Sequence, residues 1–481
     1  MEKEISIKKA ALINAGARYT TVVLQIFYMA VLSRILTPAD YGTVAAINVF
    51  VVFFQLLADM GFSSGVIQNR TLEKKEIDDI FSLTVYIGLG LMIVFTGFSY
   101  LISLFYDDAI YISLGVMLSV GICFTSVNMI PNAVMLRQKR FIAIGIRTVV
   151  VALFSSVVTV LIALAGWGVY SLVIYSIINS VTIFLWNEIS TKLRFNFKPG
   201  TKAVKKIWGY SMYQFGAQIL NYFNRNTDNL LIGKFMGKIP LGYYNKAYTL
   251  MQYPITYFPG VITPVLHPIL SEHQEDKEYI FNIYINLLKF LSLLGCFGSA
   301  FCFFASREII LIAFGDQWVE AIVPFSILAL SLWPQILINT IGPIYLSIGN
   351  TKLMFKNIII STLIIVSLIG FGVYQGSLIY ISLCVSIAYW INFCVVFTIL
   401  MRKGFEKSIF SFLLYFKEDA LIYLILIFVS KFLTVTINNV MISFIVRLAV
   451  LGFLFILLLF VTNQWKYIKN IIKGNIHNGK R

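Results

Sequence analysis

The feature that most constrains this chain is a succession of apolar stretches, each about 20 residues long. An α-helix rises about 1.5 Å per residue, so roughly 20 apolar residues cross the roughly 30 Å hydrocarbon core of a bilayer. Only 12% of the 481 residues are charged, whereas soluble domains average about 25%. The sequence therefore predicts an all-α, polytopic membrane protein. The fourteen predicted spans lie at approximately 10–33, 42–67, 80–105, 110–133, 143–165, 169–190, 206–232, 243–266, 281–305, 319–345, 357–375, 377–400, 418–435 and 438–462.

The distribution of basic residues predicts the orientation, because Lys and Arg near span ends stay in the cytoplasm. With a cytoplasmic N-terminus, 27 of the 38 Lys and Arg residues fall in inside segments, six fall outside and five lie within spans. Both termini are thus predicted to be cytoplasmic. No signal-peptide cleavage site follows the first span, so it is expected to remain in the mature chain. The net charge of +16 is attributed to this bias and to contact with anionic membrane lipids, not to nucleic acid.

A weak internal repeat predicts two halves joined by a basic hinge from Ser190 to Lys206. A shift of 200 residues aligns Gly16 with Gly216, Arg34 with Lys234, and Gly42 with Gly242. Six spans per half predict two six-helix lobes related by a pseudo-twofold axis along the membrane normal. The predicted domains are an N-lobe at 1–200 with spans one to six, a C-lobe at 201–405 with spans seven to twelve, and 406–481 with two appended spans and a basic cytoplasmic tail.

The seventh predicted span carries a polar stripe. Its members are spaced four, three, four and three residues apart and so share one helix face: Gln214, Gln218, Asn221, Arg225 and Asp228. A charge near the bilayer centre costs roughly 2.5 to 3.5 kcal/mol, so the stripe is predicted to line a water-filled cavity. Arg225 and Asp228 are close enough along the helix to pair. The alternative is a structural polar network between helices.

The first span offers a counterpart to this stripe. The 200-residue shift sets Arg18 opposite Gln218 and Gln25 opposite Arg225, so both halves are predicted to contribute cationic and amide groups to one central chamber. Arg147, near the inner end of the fifth span, is predicted either to join that chamber or to snorkel to the interface.

The eighth predicted span contains four prolines, spaced four or five residues apart: Pro254, Pro259, Pro264 and Pro268. Each proline removes a backbone donor and is predicted to bend the helix. The two interpretations are bending elements in a transport cycle and static kinks packed against neighbouring helices.

Other polar groups point to no enzymatic or metal chemistry. Asp59 is predicted to hydrogen-bond at a helix end, with a proton site as the alternative. The loop with His267 and His273 is interpreted as solvated rather than metal-binding. The five cysteines lie in apolar spans without a CxxC pair, so neither a disulfide framework nor a zinc site is expected. There is no GxxxxGK[ST] phosphate loop, and no catalytic motif such as GxSxG or HExxH. We expect no cofactor and no enzyme activity.

Three stretches carry a family resemblance: "LSRILTPADYGTVA" at 32–45, "DMGFSSGVIQ" from Asp59, and "NRNTDNLLIGKFMGKIPLGYYNKAY" at 224–248. With them, the sequence resembles the Wzx-type flippases of the multidrug/oligosaccharidyl-lipid/polysaccharide exporter superfamily, and especially the teichuronic-acid and colanic-acid exporter branch. The resemblance extends over essentially the whole chain and agrees with fourteen spans.

The resemblance implies two lobes around a cationic lumen lined by Arg18, Arg225 and Asp228. It also implies that undecaprenyl-pyrophosphate-linked oligosaccharides are moved from the inner to the outer leaflet of a bacterial cytoplasmic membrane, for surface polysaccharide biosynthesis. Membrane potential, with or without proton or sodium coupling, is the expected driving force. Polysaccharide polymerase and glycosyltransferases are the expected protein partners. The alternatives are a multidrug or lipid II exporter of the same superfamily and an integral-membrane polysaccharide polymerase or ligase.

Overall fold

The computed structural model describes residues 7–271, 273–274, 276–432 and 437–472, and every regular element in those ranges is helical. The first helices are α1 Ile7–Ile35, α2 Pro38–Asp59, α3 Phe62–Gln68, α4 Lys74–Tyr106, α5 Ile110–Arg137, α6 Phe141–Leu164, α7 Val169–Thr191, α8 Lys202–Met236, α9 Lys238–Ser271 and α10 Lys277–Phe304. They are followed by α11 Ser306–Phe314, a 3₁₀ segment Asp316–Ala321, α12 Ile322–Ala329, α13 Leu332–Ile338, α14 Ile341–Ser347, α15 Thr351–Tyr374 and α16 Leu378–Ile399. A π-helical turn, Leu400–Gly404, then leads to α17 Ile409–Leu414, α18 Lys417–Phe432, α19 Val440–Val461 and α20 Gln464–Ile472.

By their internal contacts the helices fall into two compact units, Met1–Gly242 and Tyr243–Arg481. Helix α8 therefore packs with the first unit, and α18 and α19 belong to the second. The predicted boundaries at 1–200, 201–405 and 406–481 stay predictions.

The all-α membrane architecture is confirmed, but the exact count of fourteen spans is not. Within the described residues, nine helices are long and apolar enough to cross a bilayer, or ten if one bent pair counts as a single span. Each of the fourteen predicted stretches overlaps a helix or that bent pair.

The second predicted span is wrong as one continuous helix, because the chain breaks between α2 and α3. Met60 and Gly61 both adopt left-handed backbone angles, with φ of 41° and 76°, and a helix cannot continue through two such residues. Asp59 Oδ1 accepts hydrogen bonds from the Ser63 amide at 3.2 Å and the Ser63 hydroxyl at 2.6 Å. The predicted helix-end role of Asp59 is thus confirmed.

The predicted hinge after the sixth span lies along α4. The amide of Asn196 donates to Ser82 Oγ at 2.7 Å, and its side-chain Nδ2 donates to Asp79 Oδ1 at 2.9 Å. The hydroxyl of Tyr86 donates to the carbonyl of Phe197 at 3.1 Å. These bonds hold the segment against the first unit. Its role as a hinge stays a prediction.

The two last long helices are attached to the second unit by ion pairs. Lys289 Nζ of α10 lies 2.7 Å from Asp419 Oδ1 of α18. Arg447 Nε of α19 lies 3.0 Å from Glu308 Oε1 of α11. These ion pairs join α18 to α10 and α19 to α11 within the second unit.

Candidate functional site

A polar cavity of about 420 Å³ lies within the first unit, between α2, α5 and α7. Its volume falls in the range of small-molecule sites, roughly 300 to 1,000 Å³. Its polar lining consists of Asn48, Gln55, Thr125, Asn128, Tyr175, Ser176, Asn179 and Ser180. Among the residues that the structure describes, the lining contains no acidic or basic side chain, so this part of the wall offers amide and hydroxyl groups without formal charge.

Helical periodicity explains why these side chains share one space. Asn179 and Ser180 lie three and four residues after Ser176 along α7, which places the three on one face. Asn48 and Gln55 are seven residues apart on α2, a spacing of about two helical turns. Each helix therefore turns one polar stripe towards the cavity.

A buried guanidinium stands behind this wall. Arg147 of α6 donates from Nη1 to the side-chain oxygens of Asn132, at 3.1 Å, and Asn187, at 2.5 Å. Asn187 in turn donates from Nδ2 to Asn128 Oδ1 at 2.7 Å. Because Asn128 lines the cavity, a chain of hydrogen bonds connects the guanidinium to the cavity wall. We call Arg147, Asn132, Asn187 and Asn128 the amide network.

The amide network holds a positive charge with neutral partners. Arg147 is only 6% exposed, and no ion pair between described residues includes it. Charge-assisted hydrogen bonds to amide oxygens replace part of the hydration that burial removes. A buried cation therefore lies one residue, Asn187, behind the described cavity wall.

Arg147 is buried within the first unit, bonded to Asn132 and Asn187; its assignment to the chamber or to the interface stays a prediction. Gln25 is half-buried on α1. The side chains of Arg18 and Gln214 lie outside the described residues, and their assignment to a lumen stays a prediction.

The polar stripe of α8 runs from exposed to buried side chains. Asn221 and Arg225 are exposed, Gln218 is half-buried, and Asp228 is 3% exposed. Asp228 Oδ1 accepts the amide hydrogen of Asn229 at 2.7 Å. The pairing of Arg225 with Asp228 stays a prediction.

Helix α9 is continuous through all four prolines of the eighth predicted span. Pro254 is half-buried and Pro259 is buried, whereas the side chains of Pro264 and Pro268 lie outside the described residues. Bending at these positions stays a prediction.

The loop before α10 contains His273, whose ring stacks on Tyr279 at a centroid distance of 4.3 Å. The side chain of His267 is outside the described residues. Across the part of the chain that the structure describes, no three His, Cys, Asp or Glu side chains are grouped to hold a metal ion.

None of these cavity residues was predicted as a site residue from the sequence, because the predicted site centres on charged side chains. Asn, Ser and Thr occur singly in several apolar spans, and one such residue in a span is often only a helix contact. The usable signal was the placement of Asn179 and Ser180 three and four residues after Ser176 on α7.

A family model described as "Polysaccharide biosynthesis protein" matches residues 31–323, which is more than half of the chain. The chain belongs to this polysaccharide biosynthesis family. The matched region includes α2, α5 and α7 and therefore the whole cavity.

Individual relatives extend the similarity over nearly the full length. The teichuronic acid biosynthesis protein TuaB of Bacillus subtilis is 23% identical over 71% of this chain and 73% of its own. A membrane protein in the cps region of Klebsiella pneumoniae is 22% identical over 96% of both chains. The lipopolysaccharide biosynthesis protein WzxC of Escherichia coli is 21% identical over 83% of both chains.

Solved structures show the same fold. The lipid II flippase MurJ, in an inward closed conformation, matches with a TM-score of 0.75 and 18% identity over 94% of this chain and 99% of its own. A multidrug resistance MATE family transporter of the MOP superfamily, facing inward, matches with a TM-score of 0.61 and 15% identity over 80% and 96%. This member of the polysaccharide biosynthesis family thus has a transporter fold and is a multi-pass membrane protein.

Proposed function

We propose that this protein moves lipid-linked oligosaccharides from the inner to the outer leaflet of a bacterial cytoplasmic membrane by alternating access, with both termini in the cytoplasm. The observation that carries the proposal is a cavity within a membrane-spanning unit whose described lining is rich in amides and hydroxyls. Membership of the polysaccharide biosynthesis family and the names of relatives such as TuaB support the same substrate class.

The chemistry of the cavity suits a sugar. Each sugar hydroxyl transferred to hydrocarbon without a hydrogen-bond partner costs several kcal/mol, about 4 to 8 on alkane scales. Asn and Gln offer both donors and acceptors, and Ser and Thr hydroxyls rotate to suit either. The cavity therefore replaces the water that a sugar loses, while the lipid tail stays in the bilayer.

The pyrophosphate needs a different partner, and we assign it to the cationic groups of the α8 stripe and the first helix. Arg225 is exposed on a helix that overlaps a predicted span, where a guanidinium is tolerated only beside water or an anion. Arginine binds phosphate oxygens through paired donors. With the cytoplasm negative, outward movement of each anionic charge gains about 2.3 kcal/mol per 100 mV. Membrane potential, alone or with proton or sodium coupling, is the proposed driving force.

The first test concerns Arg225 and uses a host whose own repeat-unit flippase is deleted. Arg225→Ala should abolish surface polysaccharide at unchanged protein level, and Arg225→Lys should keep part of the activity because the charge remains. Phe223→Ala is the matched control, since Phe223 is exposed on the same helix and should support normal export. Normal export by Arg225→Ala would exclude this residue from the substrate path.

The second test concerns the cavity itself. Asn179→Leu and Ser176→Ala remove hydrogen-bonding groups from the α7 wall and should lower export without lowering membrane insertion. Leu185→Ala, on the same helix but exposed and outside the lining, should leave export unchanged.

The substrate class is tested with the wild-type chain in two deletion hosts. If the chain rescued a lipid II flippase deletion but did not rescue polysaccharide export, the proposed substrate class would be contradicted.

Water access to the α8 stripe is tested separately with cysteines placed at 218, 221 and 225. A membrane-impermeant thiol reagent should label Asn221→Cys and Arg225→Cys. Protection of all three positions in every condition would instead indicate the dry structural network.

A further inference from the structure

Two carbonyl oxygens near prolines in the second unit lack their helical donors. In an α-helix the amide of residue i donates to the carbonyl of residue i−4, and proline has no amide hydrogen. Pro259 in α9 therefore deprives the carbonyl of Ile255, whereas the Leu330 carbonyl lacks a helical donor because the helix breaks between α12 and α13, and Pro334 lies in the first turn of α13. At membrane depth such a carbonyl must be satisfied by another protein group or by water in a cavity.

Asn339 provides that group for Ile255. Its side-chain Nδ2 donates to the Ile255 carbonyl at 2.9 Å. Asn339 directly follows α13 as its C-terminal capping residue, so the donor comes from a different helix. A bond that normally lies within α9 is thus replaced by a bond between α9 and the neighbouring bent span.

The Leu330 carbonyl is satisfied in a different way. It accepts from Trp390 Nε1 of α16 at 3.1 Å and from the Tyr423 hydroxyl of α18 at 3.0 Å. Tyr423 and Pro334 are buried. Two donors on two helices therefore hold the 56° bend between the Asp316–Ala329 and Leu332–Ser347 segments, which fixes the break that precedes Pro334.

The Pro259 position is held less firmly. Ile255 receives one side-chain donor, and Asn339 is an exposed residue, whereas the donors at Leu330 are largely enclosed. A single bond from an exposed amide is exchanged readily for a bond to water. Of the two proline positions, Pro259 is the one at which the helix can bend at low cost.

We propose that Asn339 is a positioning residue that clasps α9 at Pro259, and that this clasp opens and closes as α9 and the bent span move in the transport cycle. The idea rests on the proposed transport function for its role, but the clasp itself is a property of the fold. When the clasp is closed, α9 is continuous and joined to α13. When it opens, the Ile255 carbonyl turns to water and α9 bends at Pro259.

The clasp is tested by a double-mutant cycle on the purified full-length protein in detergent, with thermal unfolding as the readout. Asn339→Leu should lower the unfolding temperature by several degrees, because it leaves the Ile255 carbonyl without a donor. In a Pro259→Ala background the restored amide bonds Ile255 within α9, so adding Asn339→Leu should then cost little. Asn339→Asp has a similar shape but lacks the amide donor, so it should lower the unfolding temperature as Asn339→Leu does. It replaces the leucine variant in the cycle if that variant does not fold.

An equal loss of stability in the wild-type and Pro259→Ala backgrounds would overturn the clasp. This outcome requires no transport measurement, so it is distinguishable from failure of the proposed function. Export in the flippase-deleted host tests the role of the clasp: Pro259→Ala should keep or raise the unfolding temperature yet lower export several-fold. A static kink would leave export by this variant normal, and that result would overturn the role in transport.

Discussion

Gly42 and Gly242 meet across a reciprocal backbone contact within the first unit. A Cβ atom on Gly42 would lie 1.7 Å from the carbonyl oxygen of Lys238, and one on Gly242 would lie 2.0 Å from that of Pro38. The 200-residue shift relates position 38 to 238 and position 42 to 242. The 38–42 and 238–242 segments therefore contact each other in the same way, as expected for two elements around a local twofold axis.

This contact predicts that alanine is not tolerated at either glycine. The added methyl group would overlap a backbone carbonyl, and overpacking of this kind typically costs about 1 to 3 kcal/mol. Gly42→Ala and Gly242→Ala should each lower the unfolding temperature of the purified protein. Gly90→Ala is the matched control, because nothing lies within 4 Å of its added Cβ and alanine favours a helix by up to about 1 kcal/mol. Equal behaviour of all three variants would contradict the close approach.

The buried ion pair of Lys289 and Asp419 predicts a strong asymmetry between single and double variants. Asp419 is fully buried, and its carboxylate lies 2.7 Å from the lysine ammonium. Asp419→Leu leaves that ammonium without its nearest counter-charge and should destabilise by about 3 to 5 kcal/mol. Adding Lys289→Met should recover much of this loss.

Glu418 is the natural control for that experiment. It also approaches Lys289, at 3.5 Å, but its side chain is 31% exposed. Glu418→Gln should change the unfolding temperature little, as partly exposed pairs contribute about 0 to 1 kcal/mol. If Glu418→Gln lowered the unfolding temperature more than Asp419→Leu does, Glu418 and not Asp419 would be the main counter-charge of Lys289.

The amide network predicts different consequences for its two asparagine acceptors. Asn132 and Asn187 both accept from Arg147, but only Asn187 also donates to Asn128 at the cavity wall. Replacing either residue by Leu should cost stability of order 1 to 3 kcal/mol. Asn187→Leu should in addition lower export further than Asn132→Leu at equal protein level. Indistinguishable export would mean that the network does not orient the cavity wall.

Acid should weaken the contact between Asp108 and Lys238. The Lys238 ammonium donates to Asp108 Oδ2 at 2.8 Å, and this hydrogen bond holds the pKa of Asp108 below its usual value. A carboxylate with a lowered pKa stabilises the fold at pH values above its unfolded pKa, about 3.9. That stability disappears as the pH falls through the lower folded pKa.

The size of this effect is small because both side chains are partly exposed, and screening limits it to about 0 to 1 kcal/mol. Unfolding temperatures measured from about pH 6 to about pH 3 should fall less steeply for Lys238→Met than for wild type. Lys352→Met, an exposed lysine elsewhere, should follow the wild-type profile. Parallel profiles for Lys238→Met and wild type would exclude the contribution of this pair.

Local patterns in the sequence predicted several structural details correctly. The length of the apolar stretches indicates membrane helices, because backbone N–H and C=O groups in hydrocarbon must form their hydrogen bonds within each segment. The placement of Asp59 at a helix end followed from its position near the inner end of the second predicted span. Conversely, the break at Met60 was missed, because an apolar residue in a left-handed conformation carries no compositional signal.

The sequence alone determined that the chain is a helical membrane protein and that α8 carries a polar stripe on one face, since both follow from hydrophobicity and helical period. The tertiary structure decided which polar groups meet. Asn128 and Asn187 are 59 residues apart, and Ile255 and Asn339 are 84 apart. Neither contact has a local signature. Such hydrogen bonds depend on how helices pack, and packing depends on the shapes of many side chains at once.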